Sequence, residues 1–163
     1  MVRLWGGEGE TMITRVLREG VAPLLAPLGF DYSPGYLRKL GADYCWVVEM
    51  QPEGEQRFGV GLGVHYPSLM SAVLADPAQA YLQSKCEPPM WEICAHQTTL
   101  AQLARRKNFR WTVAAKTDLR RVIEEVTVLL LEAGLPWLGQ RKDWRSVLTD
   151  SQARYRHWAD LDR

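Results

Sequence analysis

Residues 57–66 read Arg57-Phe58-Gly59-Val60-Gly61-Leu62-Gly63-Val64-His65-Tyr66, with a period of two. Phe58, Val60, Leu62, Val64 and Tyr66 fall on one side, and Gly59, Gly61 and Gly63 on the other. Alternation of this kind predicts a strand with one buried apolar face. The opposite face is nearly bare, and glycine weakens a strand unless something must approach its backbone closely. The stretch is therefore expected to be a central strand with a shallow trough along Gly59, Gly61 and Gly63. A helix starting near Thr11 or Thr117 is the first expectation for what fills the trough. A ligand or partner groove is the second. A nucleotide cradle ranks last, because phosphate-binding glycines sit in a strand-to-helix turn and these alternate within the strand.

The neighbouring residues extend the strand into a sheet. Tyr36 to Leu40 reads as a short strand and Gly41-Ala42-Asp43 as a turn. Tyr44, Trp46, Val48 and Met50 alternate with Cys45, Val47, Glu49 and Gln51, which predicts a second strand, and Pro52-Glu53-Gly54 turns it onto the glycine strand. Three consecutive strands joined by short turns predict an antiparallel meander. Residues 90–96 are expected to be a further strand with Glu92, Cys94 and His96 on one face. Residues 109–113 read as a strand or extended segment, and 98–107 as either a helix or a strand and loop.

Helical stripes flank the sheet. Ile13, Val16, Leu17, Val21, Leu24, Leu25 and Leu28 recur at helical spacing, with Thr11 as N-cap and Gly29 in the left-handed position after the last turn. Pro23 lies inside this helix and should bend it near Glu19. Short helices are expected over 69–74 and from Asp76-Pro77, and a loop over 86–89. The clearest stripe is Leu119, Val122, Ile123, Val126, Leu129, Leu130 and Ala133, capped by Thr117, ended by Gly134 and stopped by Pro136. A last helix over 143–161 would carry Trp144 and Trp158 among arginines. The predicted architecture is α+β: a twisted antiparallel sheet of four or five strands with helices mainly on one face. Residues 1–11 are expected to be loose, with Met12 a candidate for the natural start, 12–140 a single domain, and 141–163 a helical extension packed on that domain or on a partner.

Totals narrow the function classes. The chain has 163 residues, and 20 basic against 19 acidic side chains give a net charge of +1. That balance opposes nonspecific nucleic-acid binding, which relies on a basic surface to displace counterions. No apolar run approaches the ~20 residues of a membrane helix. The first ten residues hold glycines and acids where a secretory signal has an apolar core. Three cysteines, Cys45, Cys86 and Cys94, suggest reduced thiols and a cytoplasmic protein. Seven tryptophans are many for this length, and Trp serves both cores and binding hot spots.

The order of elements resembles a family of small bacterial proteins known as domain-of-unknown-function family 4304. The similarity rests on Pro27-Leu28-Gly29-Phe30, the aromatic and Val-Val strands, Phe58 to Val64, Phe109-Arg110-Trp111, the long helix and Gly134-Leu135-Pro136-Trp137-Leu138, over about residues 12–140. The resemblance implies a small α+β domain and prescribes no activity. Where that family carries an arginine-rich strand, in the region 90–97, this chain has Glu92, Cys94 and His96.

Candidate chemistry is sparse. Cys94 and His96, with Cys86 and His65, could assemble into a zinc site, but the CxxC or HxxxH spacing of such sites is missing, so no metal is expected. No other cofactor is expected either. His65 with Glu49 or Glu92, or His96 in the same role, could form an acid–base pair across strands. Arg105, Arg106, Lys107 and Arg110, interleaved with Phe109 and Trp111, suit a protein partner or, less well, single-stranded nucleic acid. Trp144 and Trp158 beside arginines suit an interface, including one between copies of this chain. The leading expectation is a non-enzymatic cytoplasmic bacterial binding module for a protein partner, with a toxin-neutralising immunity role as one form. An enzyme or small-molecule sensor using His65 and His96 with a carboxylate is the alternative, and a weak single-stranded nucleic-acid binder the third.

Overall fold

The structure is a computed structural model that describes residues 11–67, 91 and 94–143. The expected loose segment over 1–10, the helices over 69–74 and from Asp76-Pro77, the loop over 86–89, Glu92, and the extension from 144 onward with Trp144 and Trp158 lie outside the described residues. The fold is α+β. Its sheet holds β1 (Asp31–Ser33), β2 (Tyr36–Leu40), β3 (Cys45–Glu53), β4 (Arg57–His65), β5 (His96–Thr99) and β6 (Trp111–Thr112). Strands pair antiparallel in the order β1-β2-β3-β4-β5, and β6 pairs the opposite end of β4 from β5. The short β1, which the sequence pattern did not mark, brings the strand number among the described residues to six.

Register follows the hydrophobic pattern. Trp46 faces Val64, Val48 faces Leu62 and Met50 faces Val60, so the bulky residues of β3 and β4 share one surface. Cys45, Val47, Glu49 and Gln51 face His65, Gly63, Gly61 and Gly59 on the other. A slip by one residue would send every large side chain to the wrong face, which is what fixes this pairing.

Two helical rods cover the bulky face. The first runs from α1 (Met12–Arg15) through a π segment (Val16–Val21) and α2 (Ala22–Leu25) to a 3-10 turn (Ala26–Leu28). Thr11 caps it by accepting from Thr14 N–H at 3.1 Å, and Gly29 closes it at φ 93°. The distortion expected from Pro23 takes the form of the π turn, in which Ala22 N–H reaches the Leu17 carbonyl. Pro23 then opens the next helical stretch, where its missing N–H costs little.

The second rod corrects the expected helix end. After α3 (Leu100–Leu103), α4 (Lys116–Leu129) continues through a π segment (Leu130–Gly134) into α5 (Leu135–Gly139). Gly134 stays right-handed at φ −68°, and Pro136 sits in the first turn of α5. The wide turn, with Leu135 N–H on the Leu130 carbonyl, lets the helix pass the proline. The cap differs too: Asp118 Oδ2 accepts from Ala114 N–H and Ala115 N–H, both at 3.2 Å, at an N-terminus expected to be capped by Thr117.

The core joins Ile13, Val16, Leu17, Val21 and Leu25 to Leu119, Val122, Val126, Leu130 and Leu138, and both sets to the bulky face of β3 and β4. The rods touch closely at Gly20, where an added Cβ would lie 2.5 Å from Ile123 Cγ2. Ile123 is β-branched and cannot swing aside easily within a helix. Gly20→Ala should therefore lower unfolding free energy by about 1–3 kcal/mol. Gly139→Ala, with nothing within 4 Å of the new methyl, should be neutral or mildly stabilising. Urea denaturation of the two variants checks both signs.

Candidate functional site

The glycine side of β4 is occupied. An added Cβ at Gly61 would overlap Gln51 Nε2 and lie 2.8 Å from Trp91 Cδ1; one at Gly63 would lie 2.5 Å from Cys94 Sγ and 2.9 Å from Cys94 Cβ. Trp91 Nε1 donates to the carbonyls of Leu62 and Thr98, each at 3.1 Å, so the indole lies against bare backbone and bonds to it. Arg110 covers Gly59, its Cδ 3.5 Å from the position of a Cβ there. The expected helix over this face is replaced by Trp91, Cys94, Gln51 and Arg110, and Gly59, Gly61 and Gly63 are all buried. The reason is geometric. The helices take the bulky face, where their apolar stripes find apolar partners, and the flat glycine backbone admits a planar ring.

The same arrangement separates the histidines. β5 begins only at His96, and Trp91, Cys94 and Ala95, the other described residues of the strand expected over 90–96, lie outside it. His96 pairs with Val64 on the bulky side and meets the Tyr66 ring edge-on at 5.8 Å between centroids. Cys94 lies on Gly63 on the opposite side, so Cys94 and His96 do not point the same way. His65 shares the glycine face with Cys45 directly across from it, and is fully buried. Glu49 is opposite Gly61, four residues along the strand from His65, a separation of roughly 13 Å at strand spacing. His65, His96 and Glu49 therefore form no acid–base constellation. Among the described residues no three His, Cys, Asp or Glu side chains gather as metal ligands would.

The cysteines differ from expectation as well. Cys45 is disulfide-bonded, with its partner outside the described residues. Reduced thiols were expected, and the bond removes that argument for a cytoplasm. Cys94 is a buried free thiol. Burial, and then the Glu49 carboxylate, push it from 9.0 up to about 12. A thiol held neutral in this way is a poor nucleophile and a poor metal ligand.

The basic and aromatic segment is where an accessible concavity forms. α3 ends in a Schellman turn: Arg106 N–H reaches the Ala101 carbonyl at 2.8 Å, and Arg105 takes the left-handed conformation at φ 58°. This turn sends Arg106 outward over the Phe109 ring, 5.1 Å from its centroid. Phe109 meets Trp111 edge-on, Trp111 stacks on Phe58, and Trp111 Nε1 donates to Glu125 Oε2 at 3.1 Å. A cleft of about 290 Å³ opens there, lined by Arg106, Glu124, Glu125, Val128 and Leu129. Arg105 and Lys107 are exposed nearby. Arg110 is turned away onto the sheet, paired with Glu53 at 3.2 Å. Of the described residues expected to bind a partner, Arg106 alone lines the cleft. Leu129 was assigned to the buried stripe of the helix, and Glu124, Glu125 and Val128 were not singled out, because the stripe does not show which positions at its margin stay in solvent until its neighbours are known.

The comparisons with known proteins give one match. Residues 21–140 match the family model described as Domain of unknown function (DUF4304). No curated protein and no solved structure matches the chain.

Two outcomes follow from the glycine face. Gly63→Ala should cost about 1–3 kcal/mol, because Cys94 Cβ cannot move without its backbone. Gly59→Ala makes only ordinary contact with Arg110 and should change stability by under about 0.5 kcal/mol; chemical denaturation distinguishes them. For Cys94, the raised native pKa favours the folded state fully below pH 9.0 and progressively less as pH rises toward about 12. Wild type should therefore lose more stability than Cys94→Ala across that window. Iodoacetamide at neutral pH should label Cys94 only after unfolding, read by peptide mass spectrometry.

Proposed function

We propose that this chain, which belongs to the DUF4304 family of unknown function, is a non-enzymatic binding module that recognises a protein partner through the Arg106 cleft and the outer face of α4. The observation that carries this reading is the exposure of Val128 at 48% and Leu131 at 49% beside a cleft edged with charge. Large apolar side chains left in solvent next to oriented charged groups are the usual make-up of a recognition patch. At about 290 Å³ the cleft suits one or two side chains of a partner better than a whole small molecule. Arg106 on one wall and Glu124 and Glu125 on the other would favour an amphipathic segment: an apolar anchor, a carboxylate toward Arg106 and a base toward the glutamates.

The alternative, an enzyme or small-molecule sensor using His65 and His96 with a nearby carboxylate, draws less support from the described residues, because the two histidines face opposite sides of the sheet. In the reading proposed here the protein acts inside a bacterial cell, and an immunity-type role remains one form of it. Among the described residues no helix is long and apolar enough to cross a membrane. The Cys45 disulfide is the observation that opposes a reducing compartment.

Affinity capture from the native host tests the reading, with wild type, Val128→Asp and Leu131→Asp as baits. Both substitutions fall on exposed positions, so the thermal midpoint should hold. Wild type should recover one protein specifically, and each variant should reduce that recovery by about tenfold or more, the effect of losing an interface anchor. Equal recovery by the variants would remove the cleft as the surface. Recovery of no specific protein by wild type would remove the binding-module reading itself.

A further inference from the structure

A second group of side chains gathers near the Val64 end of β4, six residues and thus about 20 Å along the strand from the Phe58–Trp111 pair beside the cleft. Trp46, 6% exposed, lies on the bulky face between Phe30 and Tyr44. Lys39, its cross-strand neighbour, runs its stem over Gly29 and places Nζ 5.2 Å from the Trp46 ring centroid. Lys142 Nζ lies 5.8 Å from the same centroid. Arg141, whose carbonyl accepts from Trp46 Nε1 at 3.3 Å, stacks its guanidinium 4.2 Å from the Trp137 centroid and donates Nη1–H to the Trp137 carbonyl. Its Nε is shielded from solvent and makes no hydrogen bond among the described residues.

Three cations thus converge on two indoles, and none has a carboxylate partner among the described residues. Elsewhere several bases are paired with carboxylates: Arg15 with Glu19, Arg57 and Arg110 with Glu53, Arg120 with Glu124, and Arg121 with Glu125. Helix carbonyl ends account for part of the gathering, because the first rod ends at Gly29 and the second at Gly139. Each such end carries only about half a negative charge. Two ends therefore offset roughly one of the three positive charges.

We infer that Lys39, Arg141 and Lys142 form a second recognition surface, for an acidic segment of a protein partner bearing two or three separated carboxylates. The rings argue against nucleic acid. Trp46 is buried and Trp137 is covered by Arg141, so neither offers a free face on which a base would stack. Three cations are also few beside the roughly 6–10 phosphate contacts behind strong salt-dependent DNA binding. A lone phosphate is disfavoured as well. Phosphate sites use helix N-termini and converging N–H groups, and here both rods present carbonyl ends. Cations spread across two rings match carboxylates spread along a chain. The aromatic faces hold the long side chains extended, which lowers the ordering cost of meeting such a partner.

The test uses the full chain and a fluorescein-labelled peptide of alternating glutamate and serine, with a lysine–serine peptide and an oligothymidylate of equal length alongside. Fluorescence anisotropy at low salt should show binding of the acidic peptide and not of the basic one. Lys142→Gln, at an exposed position that folding does not depend on, should weaken acidic-peptide binding by roughly fivefold, and Lys39→Gln with Lys142→Gln by more than about tenfold. Arg141→Lys keeps the charge and loses the planar stack, so it should weaken binding less than the double substitution. Tighter binding of oligothymidylate through the same lysines would overturn the assignment in favour of nucleic acid. Acidic-peptide binding that is absent, or unchanged in the double variant, would overturn the surface altogether.

Discussion

The Cδ1–Nε1 edge of the Trp91 indole meets the bare backbone of β4, its N–H shared between the carbonyls of Leu62 and Thr98. That contact exists only because Gly61 and Gly63 carry no side chain; a methyl at either would run into Trp91 or Cys94. Much of the rest follows from it. With a planar ring and a thiol filling the glycine side, both helical rods must pack on the other side, where Val48, Met50, Val60 and Leu62 give their apolar stripes a partner. The sheet therefore has a layered asymmetry, with helices on one face and side chains alone on the described part of the other.

The same contact scatters the groups that might have done chemistry. The chain passes from Trp91 and Cys94 on the glycine side to His96 on the bulky side within a few residues. Cys94 and His96 are thereby divided by the thickness of the sheet, and His65 is packed away opposite Cys45. At the surface stand a left-handed turn at Arg105 that throws Arg106 outward, the exposed apolar side chains of Val128 and Leu131, and, at the far end, three cations with no carboxylate partner among the described residues. The cleft and the three cations lie toward opposite ends of the same central strand.

Both rods pass their prolines by the same device. A π turn widens the backbone just before Pro23 and again just before Pro136, so each proline falls in the first turn of the next helical stretch. The apolar stripe then continues across the break, and Leu138 joins the core although it lies beyond both Gly134 and Pro136. This is also what brings Trp137, Arg141 and Lys142 to the Trp46 end of the sheet. A helix stopped at Gly134 would have left them elsewhere.

The sequence alone determined the meander, its register and the capped first helix, because these depend on neighbours close in the chain: period-two alternation over 36–66, turn residues between strands, Thr11 and Gly29 at the helix ends. It also marked residues 59, 61 and 63 as a place of close approach, and Arg106 as a surface base. It could not name what approached. Trp91 reaches Leu62 across 29 residues, and Trp46 meets Arg141 across 95, and no local pattern encodes contacts of that range. Nor could it foresee that the helix would outlast Gly134 and Pro136, since burial of Leu138 in the core outweighed the local stop signal. Tertiary packing decided which face each of Cys94 and His96 would take, because the glycine backbone at Gly63 left room for the thiol on one side while the pairing with Val64 put the imidazole on the other.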